Sequence, residues 1–347
     1  MHGARAGVVV LAAGLALHAH AAAGAGGKFA INLPDWSGGA SHNARTKAFE
    51  GCTATRTAGE PVRISFTVDR DFRWHVVFAD AAWNFIKNTR QNVKVRVDDE
   101  ELVSATALAR EPDVLALETS DPISLFAQLR SARRLRVIIG GLLLDFPLDG
   151  GEEALSSLTQ CVLRSTHDRR YATAGADLFD LGDAAKMADA KEAAALATRI
   201  IEYSGIAESR ILPPGQGSFV LPVDAGWKAG PVTGGVTIVK APLPIVRIAQ
   251  AIVARSLRAC KGGFFFITRP EELNKSPIER IFTSCHLLES TTSAHHIVMH
   301  RPELGYYVIS VVAVGSSFIG LPHKAANVYQ ARVRAVLGVA VQSRRAD

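Results

Sequence analysis

The sequence predicts two domains: an N-terminal all-β sandwich with one or two short helices, and a C-terminal α+β domain with an antiparallel sheet and flanking helices. Three observations lead there. A chain of 347 residues exceeds what a single hydrophobic core usually serves. Its first half alternates apolar and polar residues with the period of two that a half-buried strand requires. Its second half sets strand-like runs between segments of helical spacing, the arrangement of an α+β domain.

In the first half, "PVRISFTVDR" places Val62, Ile64, Phe66 and Val68 on one face and Arg63, Ser65 and Thr67 on the other. "DFRWHVVFAD" repeats the alternation with Phe72, Trp74, Val76 and Phe78, and "NVKVRVDDEEL" with Val93, Val95 and Val97 before an acidic turn. "RLRVIIGGLLLDFPL" predicts two strands broken at Gly140-Gly141. Two helices interrupt the strands. "DPISLFAQLRSA" opens on Asp121 and Pro122, and "GGEEALSSLTQCVL" lines Leu155, Leu158, Cys161 and Val162 along one stripe.

The seam falls in "RSTHDRRYATAGADLFDLGD", which divides the chain into a β-sandwich domain over 28–164, a linker over 165–182 and an α+β domain over 183–347. An alanine-rich helix runs from about Asp183 to Tyr203, followed by the proline and glycine segment "LPPGQGSFVLPVDAGWKAG" and a strand near Val236 to Lys240. "PLPIVRIAQAIVARSLRAC" then carries Ile245, Ile248, Ala249, Ile252 and Leu257 at helical spacing. Four strand candidates follow, "GGFFFIT", "ERIFTSCHLLE", "AHHIVMHR" and "GYYVISVVAV", and an amphipathic helix over about 324–344 ends the chain.

Residues 1–23 have the layout of a secretory signal peptide: Arg5, an apolar run from Ala6 to Leu17, then small residues around Ala19-His20-Ala21, with cleavage expected near 21–23. The apolar run falls short of the roughly 20 residues that span a bilayer. The longest later run, Leu304 to Leu321, is broken by Gly305, Gly315, Ser316, Ser317 and Gly320. The mature chain is therefore expected to lack a transmembrane segment and to be periplasmic or secreted. Its four cysteines, Cys52, Cys161, Cys260 and Cys285, fit an oxidising compartment. Three pairings exist on paper, and two domains favour the local one, 52 with 161 and 260 with 285. The mature charge is 38 basic against 33 acidic residues, with the excess in the second half. That favours anionic partners or simply solvation.

An early tryptophan, "VDDEELVSATALA" and the terminal "FPLDGGEEALSSLTQCV" together resemble the secreted β-sandwich modules of the invasion-associated locus B type and related exported alphaproteobacterial proteins. The resemblance covers about 130 residues of the first half. It departs from that family in lacking a close cysteine pair in mid-domain. What it implies is an envelope or secreted protein without known catalysis, and it transfers no site residue.

"CHLLESTTSAHHIVMH", Cys285 to His300, holds one cysteine and four of the eleven histidines. As a strand, "AHHIVMH" turns His296, Val298 and His300 one way and His295, Ile297 and Met299 the other. His296 and His300 are then about 13 Å apart, too far to share a zinc whose ligand nitrogens lie within about 2.1 Å of it. A hairpin closed by "ESTTSA" would bring His286 to His296 with Glu289 alongside. His286, His295, His296 and Glu289 are thus the candidate metal ligands. Cys285 reads as a disulfide partner of Cys260, because the adjacent His286 points to the opposite strand face and cannot serve a thiolate.

Other chemistry lacks its parts. "GSSFIG" lacks the spacing of a nucleophile elbow, "GPVTGG" and "GQG" do not join strand to helix, and Glu152-Glu153 suit a helix N-terminus. No cofactor motif occurs. Arg332, Arg334, Arg344 and Arg345 give the last helix a basic face without interleaved aromatics. That argues against nucleic acid and toward an anionic polysaccharide or lipid surface. The favoured reading is a non-catalytic exported envelope binding or accessory protein. The alternatives are an envelope-associated hydrolase or a periplasmic metal-binding protein, both using the His286/His295/His296 region.

Overall fold

The computed structural model describes residues 29–56, 61–100, 103–119, 121–165, 183–204, 209–212, 221–230, 232–287 and 290–316. The leader, the linker beyond Ser165, Glu289, and the expected last helix with Arg332, Arg334, Arg344 and Arg345 lie outside them.

Ten strands build the first sheet: β1 (Ala30–Asn32), β2 (Trp36–His42), β3 (Phe49–Arg56), β4 (Arg63–Asp69), β5 (Trp74–Ala79), β6 (Arg90–Val97), β7 (Val103–Glu111), β8 (Val114–Glu118), β9 (Arg134–Ile139) and β10 (Leu142–Pro147). The predicted alternations hold here, with Val62, Ile64, Phe66, Val68, Val93, Val95 and Val97 all buried. In place of the two separate sheets of a sandwich, the strands form one antiparallel ladder in the order β1-β2-β3-β4-β5-β8-β7-β6-β9-β10. The β5–β8 pairing, Val77↔Ala116 to Ala79↔Val114, carries hydrogen bonding across what would have been the gap. The sheet curls so that Phe78 of β5 stacks on Phe146 of β10, centroids 5.4 Å apart. Trp36 stacks on Phe66 at 5.0 Å and donates from Nε1 to the Asp149 carbonyl.

Both predicted helices form. In α1 (Pro122–Leu129), Asp121 is the N-cap, its side chain accepting from Ser124 N, and Pro122 occupies the first turn. In α2 (Gly151–Ser165), Leu155, Leu158, Cys161 and Val162 are buried, Glu152 and Glu153 stand in the first turn and Arg164 in the last, the order that the helix dipole favours. Cys161 is bonded to Cys52 of β3. Closing this 109-residue separation contributes about 5 kcal/mol in the chain-entropy model.

The second sheet contains β11 (Arg210–Leu212), β12 (Ala225–Ala229), β13 (Val232–Val239), β14 (Gly263–Leu273), β15 (Ser276–His286), β16 (Ser290–His300) and β17 (Tyr306–Ser316), ordered β11-β12-β13-β17-β16-β15-β14 and antiparallel throughout. The last four correspond to the four predicted strands with their ends shifted; β15 begins at Ser276 and stops at His286, short of the expected Glu289. β12 arises from the proline and glycine segment read as loop, β11 just precedes that segment and shares only Leu212 with it, and packing explains β12. Trp227 lies flat over Gly234 of β13, where any Cβ would enter the indole ring.

Two of the described helices cover this sheet. Ala193, Leu196, Ala197 and Ile200 of α3 (Asp183–Ser204) pack with Trp227, Val236, Ile297 and Ile309 on one face. Ile248, Ala249 and Ile252 of α4 (Ile245–Ala259) pack with Val298 and Val308 on the other. Cys260, just past α4, is bonded to Cys285 of β15.

The two sheets share a core. β14 is the edge of the second sheet, and its aromatic run inserts into the first. Phe265 meets Trp74 at 5.1 Å, Phe266 meets Phe72 at 5.0 Å, and Trp74 meets Phe126 of α1 at 5.1 Å. One continuous apolar cluster runs from Ile31 to Val308 through these rings. Phe72, expected at the start of a strand, sits instead in the β4–β5 turn with φ +66°, a conformation costly for an aromatic residue. Thr268 of β14 holds it there, donating from Oγ1 to the Phe72 carbonyl at 3.0 Å. Part of the first unit's backbone is thus shaped by the second. Trp74→Ala is expected to destabilise by about 3–5 kcal/mol and to leave calorimetric unfolding a single transition for both sheets. Two separated transitions would contradict a shared core.

Candidate functional site

The histidine stretch folds as a strand, and its residues disperse. In β16, Ile297 and Met299 join the cluster under α3 while Val298 joins the one under α4. His295 and His296 therefore emerge on opposite faces. The register pairs His286 with Thr291 and His296 with Ile281, five positions from His286 along β15. The anticipated meeting of His286 and His296 does not occur, because the hairpin closes directly after His286, with Leu287 N donating to Ser290 O. His295 lies opposite Phe282 and tilts against its ring, centroids 4.8 Å apart. Among the described residues, no group of three His, Cys, Asp or Glu side chains is placed to hold a metal ion.

What converges instead is a hydroxyl network around His286. Ser284 lies two residues back on the same face, its Oγ 2.7 Å from His286 Nε2. Thr291, directly across the hairpin, places Oγ1 3.1 Å from Nδ1. Ser293, opposite Ser284 in register, extends the row at 3.4 Å. Beside it the Arg130 guanidinium, at the end of α1, is buried over Phe265 and donates through Nη2 to Glu152 Oε1 at 3.3 Å. Burial lowers the Arg130 pKa, with Glu152 partly opposing.

Burial first, and the Arg130 charge second, push His286 down to about 4, so the ring is neutral at physiological pH. His296, sealed beneath α4, is also pushed down to about 4 by burial; its Nδ1 pairs with Ser310 Oγ at 2.8 Å. At the other end of β15, Glu279 is pushed up to about 7, chiefly by burial, with Asp71 and Glu271 adding to the shift and Arg73 opposing it.

A serine hydroxyl against a neutral imidazole is the pair that nucleophilic hydrolases use. Here the second ring nitrogen faces a threonine hydroxyl where those enzymes place a carboxylate. Ser284 is only 3 % exposed. Its strand is paired on both sides, so neighbouring amides are engaged in the ladder and none is left to form an oxyanion hole. The arrangement satisfies buried polar groups inside a sheet. Reasoning from sequence missed Ser284, Thr291 and Arg130. Period two alone places Ser284 with His286, but Thr291 and Arg130 enter only through register and the contact between sheets.

No family model matches the chain, and no curated protein does. Among solved structures, 35% of the chain is similar to 75% of LpqN, described as involved in cell envelope biogenesis of Mycobacterium tuberculosis, at 15% identity and a TM-score of 0.26. At that score the likeness bears on neither fold nor chemistry here.

The titrating groups set opposite pH dependences. His296 and His286 have folded pKa values below their unfolded ones, so their contribution is complete above about pH 6.5 and is lost as pH falls toward 4. For His296 that is about 3 kcal/mol. Glu279 has a raised folded pKa, so its contribution is present below about 4.5 and lost as pH rises through 7. In denaturant unfolding followed across pH, His296→Gln is expected to flatten the acid limb between pH 6.5 and 4. Glu279→Gln is expected to stabilise the protein above pH 7 and to have less effect at pH 5. An unchanged acid limb in His296→Gln would show that the imidazole already carries a proton in the fold.

Proposed function

We propose that this chain is an exported envelope protein, periplasmic or secreted, that binds or assists a partner and performs no catalysis of its own. One observation carries the reading: all four cysteines are paired, Cys52 with Cys161 and Cys260 with Cys285, and such pairing belongs to an oxidising compartment. That no described helix is long and apolar enough to cross a membrane is compatible with it. The leader over residues 1–23 and the division into units over 28–164 and 183–347, joined by 165–182, are parts of the same reading, since each disulfide lies inside one unit. Any anionic polysaccharide or lipid contact through Arg332, Arg334, Arg344 and Arg345 remains within it as well.

The test is intact mass and thiol alkylation of the protein recovered from its host by osmotic shock. The expected form begins near residue 22–24, resists alkylation and lacks four hydrogens relative to the reduced chain. A cytosolic form that keeps its leader and alkylates at four thiols would overturn the reading.

A further inference from the structure

The β9–β10 hairpin has a tip that the fold does not explain. "VIIGGLLL", Val137 to Leu144, carries no charge. Gly140 and Gly141 both take positive φ, +57° and +88°, the two-residue turn that glycine suits and that makes a tight, rigid hairpin. A half-buried hairpin needs one apolar face, and Val137, Leu144 and Phe146 supply it here. Two further leucines stand in solvent: Leu142 is 52 % exposed, beyond the core on the inner side, and Leu143 is 56 % exposed on the outer side. Ile86, 76 % exposed, lies in the loop before β6. That loop leaves the sheet at the same end but packs on the β7–β8 turn, with Phe85 N donating to the Pro112 carbonyl and Asn88 N to the Ala109 carbonyl.

The outer face is graded along the strands. Nearest the tip, Leu143, Ile138 and Lys94 form one cross-strand row. The next row, about 7 Å back, is Asp145, Arg136 and Arg96, and Arg134 stands beyond it. On this face Lys94, Arg96, Arg134 and Arg136 stand against two carboxylates: Asp145, which Arg134 and Arg136 share at 3.5 and 3.4 Å, and Asp98, which accepts from the Arg133 and Arg134 backbone amides. The half-exposed Asp145 pairs are weak, and a phosphate would compete for the same guanidinium donors. Lys87 and Arg90, at the tip end, are already paired with Glu111 and Glu118.

We propose that this hairpin is a membrane-surface contact, seating Leu142 and Leu143 among the acyl chains just below the headgroups of an anionic bilayer while Lys94, Arg96, Arg134 and Arg136 meet lipid phosphates. An apolar tip followed by a cationic band matches the order of layers at such an interface. The rigid turn means that little ordering entropy opposes insertion. The inference rests on the proposed envelope location and names the surface that the protein would use there.

The experiment is co-sedimentation of the mature protein with vesicles of equimolar phosphatidylglycerol and phosphatidylethanolamine, against vesicles of phosphatidylcholine alone. Wild type is expected to partition onto the anionic vesicles and to come off at high salt. Leu142→Ser with Leu143→Ser should lower partitioning about tenfold or more, and Arg134→Gln with Arg136→Gln roughly tenfold, each with an unchanged thermal midpoint. Where the double leucine variant alters the fold, Leu143→Ser alone, on the outer face, keeps the test. Equal binding to both vesicle types, or full binding by the leucine variants, would overturn the inference. Loss of the leucine variant from the envelope fraction while wild type ignores vesicles would also overturn it, and would assign the tip to a protein partner. A correctly exported, disulfide-bonded protein that fails to bind vesicles sinks this inference alone and leaves the proposed function standing.

Discussion

The fold depends on one constraint: the edge strand of the second sheet, β14, has no strand partner on its outer side among the described residues and buries its aromatic side chains in the core of the first sheet instead. An exposed edge would be a site for unwanted pairing. Here Phe265 and Phe266 pack against Trp74, Phe72 and Phe126, and Thr268 ties the strand to the Phe72 carbonyl. The left-handed backbone at Phe72 is tolerated because the other unit over-determines it. The disulfides act on a smaller scale, each fastening a helix or its end to a strand of its own sheet. The aromatic junction is what joins the two sheets into one body.

This constraint explains which parts of the structure were legible. Strands with one wet face, such as β4 and β6, announce themselves through alternation, and α1 through Asp121 and Pro122. The observed cysteine pairs are the local ones that an expected two-domain order favoured. β12 was not visible, because Trp227 over Gly234 is a contact between strands and leaves no periodic trace in either. Likewise "GGFFFIT" reads as a generic buried strand, and nothing local says that its rings enter another sheet. The continuity of the first sheet was hidden for the same reason, since it rests on the three-residue β5–β8 pairing.

The histidine stretch shows the same division. Strand alternation correctly separates His295 from His296, whereas the hairpin register that places Thr291 rather than His296 opposite His286 depends on where the turn closes. The result is an internal hydrogen-bonded row, with both His286 and His296 held neutral. The chemistry of this region lies inside the sheet, and the unexplained exposed surface lies at the far tip of the first one.

The most direct test of the central claim is to cut the chain between the sheets. A protease site inserted between residues 170 and 175 would yield two fragments, and size-exclusion chromatography with hydrogen exchange would follow them. The shared core predicts that the fragments stay associated without denaturant and that β14 and β5 amides exchange together, at the rate of global unfolding. Two fragments that separate as folded, monodisperse halves, with β14 protected in the absence of the first, would contradict it.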